Sequence, residues 1–387
     1  MNEKHLEERI QRYPAISDLQ KRAKKRIPHI AWQYLETGTG DEQAVTRNLQ
    51  RMAEITLVPR LLKGELKPNV STTLFGQTYQ APFGIAPVGM GGLMWPRAEY
   101  ILAATAAKYA IPYCLSMVAA QTPETIGPIA GDMAWFQFYP PREPDLRSEM
   151  LKRVKIAGFK TLVVTADTPA PSRRERTMRA GLRVPLRITP RFIFEALRHP
   201  NWTLNTLKAG LPRLRTLEKY TESDKMDVTI AFVLEKIGGT LSWDYLREVR
   251  DEWQGSLVVK GIHHPQDAEE AIGAGVDGIQ VSNHGARQFD GVPAAIDLLP
   301  AIARQVKGRT SILFDSGIRT GLDIVRALAL GADFVFLGRA FIYGVAAFGK
   351  YGGDHTAQIL LEDLKNNMIQ LGYETLGEIS GQECAGH

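Results

Sequence analysis

Ile312-Leu313-Phe314-Asp315-Ser316-Gly317-Ile318-Arg319, a helix-patterned stretch from Gly321 to Leu330, and Phe334-Val335-Phe336-Leu337-Gly338-Arg339 together make one complete structural unit. A short apolar run ends in a polar turn, an amphipathic segment follows, and a second apolar run begins. Apolar runs without alternation read as strands buried on both faces, as in a parallel sheet flanked by helices. Outward from this unit the pattern repeats. Further strands are predicted at Phe83 to Val88, Tyr113 to Ser116, Ala134 to Phe138, Thr161 to Thr165, Leu257 to Lys260 and Gly278 to Val281. Helices such as Arg97 to Tyr109 and Pro265 to Ala274 fall between them. Eight βα units in series predict an α/β fold, a closed (β/α)8 TIM barrel rather than an open doubly wound sheet. Residues 1–387 read as one domain that opens with a helical segment over 1–80. The spacing breaks once, between Thr165 and Leu257, which predicts a long basic amphipathic insertion over 176–240 after the fourth strand.

Composition narrows the function classes. At 44% hydrophobic and 23% charged residues, the chain is of soluble globular type. Two cysteines, Cys114 and Cys384, are too few for a disulfide framework or a zinc site and suit a reducing, cytoplasmic compartment. The charged start Met1-Asn2-Glu3-Lys4-His5 is not a secretory signal. No run approaches the roughly 20 apolar residues of a membrane-spanning helix. The net charge of +5 is modest, and its placement matters more than its size.

The strand ends carry the chemistry. In order they are Pro87-Val88-Gly89, Ser116, Gln137-Phe138-Tyr139, Thr165-Ala166-Asp167, Lys260-Gly261, Ser282-Asn283-His284, Asp315-Ser316-Gly317-Ile318-Arg319 and Gly338-Arg339. In a barrel these converge on the one mouth where active sites form. Gly317 with Arg319, and Gly338 with Arg339, pair a close-approaching backbone with a cation after strands seven and eight, where barrels bind phosphate. No Gly-x-Gly-x-x-Gly follows a strand, so a phosphate-bearing cofactor held by the barrel is expected rather than a nicotinamide dinucleotide.

His284 and Arg287, with Gly285 between them, combine a group that titrates near neutrality with a permanent planar cation. Alone this is a surface turn. At a barrel mouth it suits a small anionic substrate that must lose a proton. Asp167 at the end of strand four is placed to stabilise the His284 imidazolium and orient the ring as a general base. The competing reading of Asp167 is a cap on the turn Asp167-Thr168-Pro169. Arg287 can clamp a carboxylate through two parallel hydrogen bonds, and Arg174 is either a second clamp or part of a solvated loop. Lys260, beside apolar Val258 and Val259, needs a negative partner. Tyr139 offers a phenol to a substrate hydroxyl, while Gln137 and Thr165 suit the edge of a heterocycle.

These motifs resemble the FMN-dependent L-2-hydroxy-acid dehydrogenase and oxidase family, over roughly residues 15 to 380. Ser282-Asn283-His284-Gly285-Ala286-Arg287-Gln288 is close to a family signature. Trp135-Phe136-Gln137-Phe138-Tyr139, Val259-Lys260-Gly261 and Leu328-Ala329-Leu330-Gly331-Ala332 also look like family motifs. The resemblance implies non-covalent FMN, no metal, and oxidation of an L-2-hydroxy acid to the 2-oxo acid. By it, His284 is the base, Asp167 its partner, and Tyr139 sits on the substrate hydroxyl. Arg287, Arg174 and Tyr34 hold the carboxylate, and Lys260 lies at the flavin N1–O2 edge. Ser116, Gln137 and Thr165, with the backbone near Pro87 and Gly89, hold the isoalloxazine, and Val88 and Ser282 are further cofactor-binding positions. Asp315 takes the ribityl chain; Gly317, Arg319, Gly338 and Arg339 take the phosphate. Homotetramers are common in the family.

Two departures bear on specificity. Val118 stands where glycolate-oxidising members carry a bulky aromatic, implying a roomier pocket. Gly89 stands where oxidases usually carry alanine, implying a dehydrogenase that passes electrons to a quinone or another membrane acceptor. The alternative is an oxygen-using oxidase that makes hydrogen peroxide. Gly91-Gly92-Leu93-Met94-Trp95-Pro96 resembles mandelate-oxidising members, whereas Pro171 and Val118 resemble the bacterial lactate enzymes, so the substrate expectation is split.

Within the insertion, Arg176, Arg179, Arg183, Arg187, Arg191, Arg198, Lys208, Arg213, Arg215 and Lys219 face only Glu195 and Glu218. Leu186, Ile188, Phe192, Phe194, Trp202 and Leu207 are among the apolar residues interleaved with them. That is the composition of a helix lying in an anionic bilayer surface, where each basic residue adds about 1 kcal/mol. The expectation is peripheral contact through 176–219 with the inner face of the cell membrane. An oligomer contact or a lid over the mouth is the alternative. No nucleic-acid motif accompanies the charge.

Overall fold

Eight parallel strands close on themselves: β1 (Phe83–Ile85), β2 (Tyr113–Ser116), β3 (Ala134–Phe138), β4 (Thr161–Thr165), β5 (Ser256–Ile262), β6 (Gly278–Val281), β7 (Ser311–Phe314) and β8 (Phe334–Leu337). Pairing of Val335 with Phe83 and of Leu337 with Ile85 joins β8 to β1 and completes the barrel. The helices that complete the βα units are α1 (Ala98–Tyr109), α2 (Pro123–Ala130), α3 (Pro144–Ile156), α4 (Trp243–Glu252), α5 (Pro265–Gly273), α6 (Ala295–Val306), α7 (Gly321–Ala329) and α8 (Arg339–Phe348), with a short extra helix, Gly91–Met94, between β1 and α1. This computed structural model describes residues 3–182, 189–239, 241–306, 308–380 and 384–385.

All the strands predicted from apolar runs are present, because helices cover the outer face and packed side chains fill the inner one. Every residue of β2, β3, β4, β6 and β8 is buried. β1 stops at Ile85 rather than Val88, since Pro87 has no N–H for the ladder. β5 runs past Lys260 to Ile262 across a register shift at Gly261, whose φ is +104°. Helix starts follow local chemistry. Thr122, Ser242 and Thr320 each accept a backbone N–H of their helix's first turn, and Thr320 forms a capping box with Asp323.

The N-terminal expectation needs correction. Helices span Glu3–Arg12, Ile16–Arg26, His29–Glu36 and Gln43–Glu54, but the helical segment does not continue to residue 80. Thr72–Leu74 and Gln77–Tyr79 instead form a hairpin whose turn residues, Phe75 and Gly76, have φ of 53° and 75°. Its β-branched and aromatic residues plug the amino end of the barrel. Phe75 lies 5.8 Å from Trp135 and Tyr79 lies 5.5 Å from Phe334, ring centre to ring centre. The Trp135 indole donates to the Tyr79 hydroxyl at 3.0 Å.

The insertion folds into short helices, including Pro190–Arg198, Pro200–Ala209 and Met226–Lys236. Trp202 is buried and donates to the Leu93 carbonyl at 3.1 Å, pinning the segment to the loop after β1. On the outward side Ile193, Phe194, Leu197, Leu204, Leu207 and Leu211 are all exposed. Arg183, Leu186, Arg187 and Ile188 lie outside the described residues, as does the side chain of Arg191. Among the described residues no helix is long and apolar enough to cross a membrane.

Candidate active site

The carboxyl end of the barrel holds a cavity. Tyr34, Pro87, Val88, Gly89, Ser116, Gln137, Tyr139, Thr165, Arg174, Lys260, His284, Arg287, Asp315, Gly317, Arg319, Gly338 and Arg339 all line it. Asp167 and Ser282 do not; each stands directly behind a lining residue, Asp167 against His284 and Ser282 against Lys260.

His284 Nδ1 lies 2.9 Å from Asp167 Oδ1. Burial alone would push the Asp167 carboxyl up, but the His284 imidazole and the Lys260 ammonium outweigh it and hold the group below the usual aspartate range. The approach depends on Gly261, because a Cβ there would sit 2.6 Å from that of Asp167. The turn carrying His284 is itself unusual. His284, Gly285 and Ala286 have φ of 56°, 62° and 62°, a left-handed run that costs free energy in two residues other than glycine.

Ser316 secures that turn: its hydroxyl accepts the N–H of Asn283 at 3.2 Å and of Gly285 at 3.0 Å, and donates to Asp315 at 2.8 Å. The other Asp315 oxygen meets Lys260 at 2.9 Å and Gln280 at 2.8 Å. Lys260 and Asp315 are 4% and 7% exposed, so the lysine charge is compensated inside the protein. Sequence reasoning assigned nothing to Ser316 or Gln280. The signal for Gln280 was a polar residue inside an otherwise apolar strand; for Ser316 there was only its place between Asp315 and Gly317.

The arginines differ. Arg174 donates to the Ser172 hydroxyl, Arg287 to the carbonyls of Tyr34 and Thr37, Arg319 to that of Ile318, and Arg339 to those of Leu35, Thr37 and Gly285. These partners are neutral. Burial, then Arg174 and Arg339, push the Arg287 guanidinium down to about 9. Burial, then Arg319, likewise lower Arg339. A cavity with several such cations favours anionic ligands. Across from them Ser116, Gln137 and Thr165 form a buried chain of hydrogen bonds, each 2.9 Å long, along one wall. The arrangement can therefore hold a dianion, the edge of a heterocycle and a second, smaller anion beside an imidazole base.

Comparison with known proteins agrees with this chemistry. A sequence profile of the FMN-dependent dehydrogenase family matches residues 23–385. An L-lactate dehydrogenase of Xanthomonas campestris pv. campestris is 39% identical over 369 residues, covering 95% of this chain and 95% of the other. One from Pseudomonas aeruginosa is 38% identical over 368 residues, covering 95% and 96%. The crystal structure of the monotopic membrane protein (S)-mandelate dehydrogenase superposes with a TM-score of 0.90 at 31% identity, covering 95% of this chain and 97% of that one. A putative lactate oxidase from Pediococcus acidilactici superposes at 0.83 with 27% identity, covering 96% and 94%. With matches spanning nearly the whole chain, the protein belongs to the FMN-dependent dehydrogenase family and is an oxidoreductase that uses FMN.

Proposed function

We propose that the protein oxidises an L-2-hydroxy acid, lactate-like or mandelate-like, to the 2-oxo acid and passes the electrons to a quinone or another membrane acceptor. The observation that carries this reading is the His284–Asp167 pair, which opens on the same cavity as Arg287 and Arg174. The donor set suits FMN. Arg319 and Arg339, with the close-approaching backbone at Gly317 and Gly338, match the phosphate; the Ser116–Gln137–Thr165 chain and Lys260 match the polar edge of the ring.

Bound FMN supplies a two-electron acceptor. The chain supplies the rest. His284 takes one proton from the substrate, with Nε2 as its basic atom because Nδ1 is engaged by Asp167. Asp167 stabilises the imidazolium that results. Burial, then Asp167, hold the Tyr139 phenol well above its ordinary range, so it stays protonated and donates to the substrate oxygen. Arg287 and Arg174, with the Tyr34 phenol, grip the carboxylate. Lys260 places a fixed cation where negative charge collects.

Anaerobic bleaching of the yellow holoenzyme by L-lactate, (S)-mandelate, longer 2-hydroxy acids and their enantiomers tests the reading. Bleaching by L-acids alone is expected; no bleaching by any L-2-hydroxy acid sinks it. Slow reoxidation of the reduced enzyme in air supports a dehydrogenase, and fast peroxide formation supports the oxidase alternative.

The reading includes peripheral seating on the inner membrane face through the insertion. Exposed Ile193, Phe194, Leu197, Leu204 and Leu207 on short helices that also carry Arg198 and Lys208 support it, since a soluble surface rarely groups so many apolar side chains. Replacing Leu204 and Leu207 by aspartate should release the enzyme from anionic vesicles without affecting flavin reduction. It also includes a homotetramer, which sedimentation of the holoenzyme checks.

A further inference from the structure

A buried acid that the proposed reaction does not use sits behind one wall of the pocket. Glu99, in the first turn of α1, is 1% exposed. Its Oε1 accepts two backbone N–H groups from different loops: Gly92 after β1, at 3.2 Å, and Ala120 after β2, at 3.0 Å. Consecutive glycines make room for it. A Cβ on Gly91 would lie 2.8 Å from Glu99 Oε1, and one on Gly92 would lie 3.0 Å from the Ala120 side chain. The Glu99 Oε2 atom is also buried and has no hydrogen-bond partner among the described residues.

The same two loops carry the lining residues Gly89 and Val118. They touch there, since a Cβ on Gly89 would lie 2.8 Å from Val118 Cγ2. The Met90 N–H donates to the Val118 carbonyl at 2.9 Å, and the Tyr34 hydroxyl donates to the Gly89 carbonyl at 3.3 Å. The spacing of Gly89 and Val118 is therefore set at two points, by a main-chain bond and by the Glu99 bridge. The insertion reaches the same joint. The Thr216 hydroxyl donates to the Gln121 carbonyl at 3.0 Å, and the Pro212 side chain lies 3.5 Å from where a Gly92 Cβ would be. Burial raises the Glu99 carboxyl, while its backbone donors and the Arg215 charge act in the opposite sense.

We propose that Glu99 is a positioning residue for substrate selectivity: it fixes the two loops whose facing residues, Gly89 and Val118, bound the room for the substrate side chain, and the Thr216–Gln121 bond ties the insertion into that joint. The proposal rests on the reading that this cavity takes a 2-hydroxy acid. Physically, one oxygen shared between two loops resists their separation. A pocket wall displaced by a fraction of a methylene changes discrimination between substrates before it changes the chemistry, with about 10- to 200-fold at stake for a whole methylene.

The test uses holoenzymes carrying Glu99→Ala, Glu99→Gln or Thr216→Val, with anaerobic flavin bleaching by L-lactate and (S)-mandelate. Glu99→Ala should keep its FMN and shift the kcat/KM ratio of the two acids about tenfold, mainly through KM. Glu99→Gln retains an acceptor for both N–H groups and should stay within about threefold of the parent ratio. Thr216→Val removes the hydrogen bond from the insertion to the Gln121 carbonyl and should move the ratio in the same direction as Glu99→Ala by about threefold. An equal loss for both acids with the ratio unchanged marks a merely structural role and overturns the proposal. Should Glu99→Ala not fold, Thr216→Val decides: a ratio unchanged within error overturns it. If the parent enzyme is bleached by neither acid, the substrate reading has failed, and the Glu99 variants are not what was refuted.

Discussion

Asp167 meets His284 with one oxygen only: Oδ1 lies 2.9 Å from Nδ1, while Oδ2 is buried and has no hydrogen-bond partner among the described residues. The two residues follow β4 and β6, with β5 between them, so the contact spans a strand. The missing side chain of Gly261 on β5 lets Asp167 reach across. A carboxylate anchored this way can tighten on the imidazole as it gains charge.

That geometry predicts distinct costs for the two partners. His284→Ala should slow flavin reduction by about 10⁴-fold and leave FMN bound, because the proposed base is lost while the residues proposed to hold the phosphate are untouched. Asp167→Asn should cost about 10²- to 10⁴-fold, since the amide cannot stabilise an imidazolium. Single-turnover stopped-flow reduction checks both; near-normal reduction in His284→Ala would remove it from the mechanism.

Arg287 predicts a pH dependence. Its folded value lies below that of an ordinary arginine, at about 9, because burial and neighbouring cations disfavour its charge. The cation proposed to grip the carboxylate is present below that pH and is lost as the pH rises through it. In the free enzyme kcat/KM should therefore fall above about pH 9 by up to tenfold per unit, with kcat less affected because bound substrate restores the charge. A flat kcat/KM profile to pH 10.5 would show that Arg287 does not titrate there.

The Lys260–Asp315 pair predicts a stability effect separable from catalysis. Lys260→Met leaves Asp315 buried without its cation and should cost about 3–5 kcal/mol. Adding Asp315→Leu should recover part of that stability but not flavin reduction, because the cation stays absent and the Asp315 bonds to Ser316 and Gln280 are lost as well. Urea unfolding read beside flavin bleaching separates the two effects; recovery of both would mean that Lys260 is only structural.

A last prediction concerns packing far from the chemistry. Gly344 on α8 faces the helix Gly352–Leu371 so closely that a Cβ would lie 2.0 Å from Thr356 Oγ1 and 2.4 Å from the Gly352 carbonyl oxygen. Gly344→Ala should therefore destabilise the protein by about 2–3 kcal/mol by overpacking, despite the better helix propensity of alanine. Thermal unfolding measures it, and an unchanged midpoint would mean that the helices separate freely.

Much of this architecture was legible because it is local. A strand such as Phe334–Leu337 declares itself in four consecutive apolar residues, and Gly338-Arg339 after it declares a turn. The segment after residue 54 was misread as helical because its hairpin depends on two positive-φ residues, Phe75 and Gly76, and only the glycine advertises that conformation. Glu99 went unnoticed for a different reason. An acid in the first turn of a helix looks like ordinary dipole matching, and nothing local says that two other loops close over it.

The order of strands and helices and the polar kit at the strand ends follow from the sequence alone, since periodicity and turn chemistry act within a few residues. Which of those groups meet was decided by closure of the barrel. Asp167 lies 117 positions from His284, and Arg339 lies 302 from Thr37, yet both pairs are within hydrogen-bonding distance. The fold also turned Arg287 and Arg339 onto carbonyls of residues 34–37 and closed the amino end of the barrel with aromatic side chains. Such contacts depend on packing between distant segments, and no short stretch of residues encodes them.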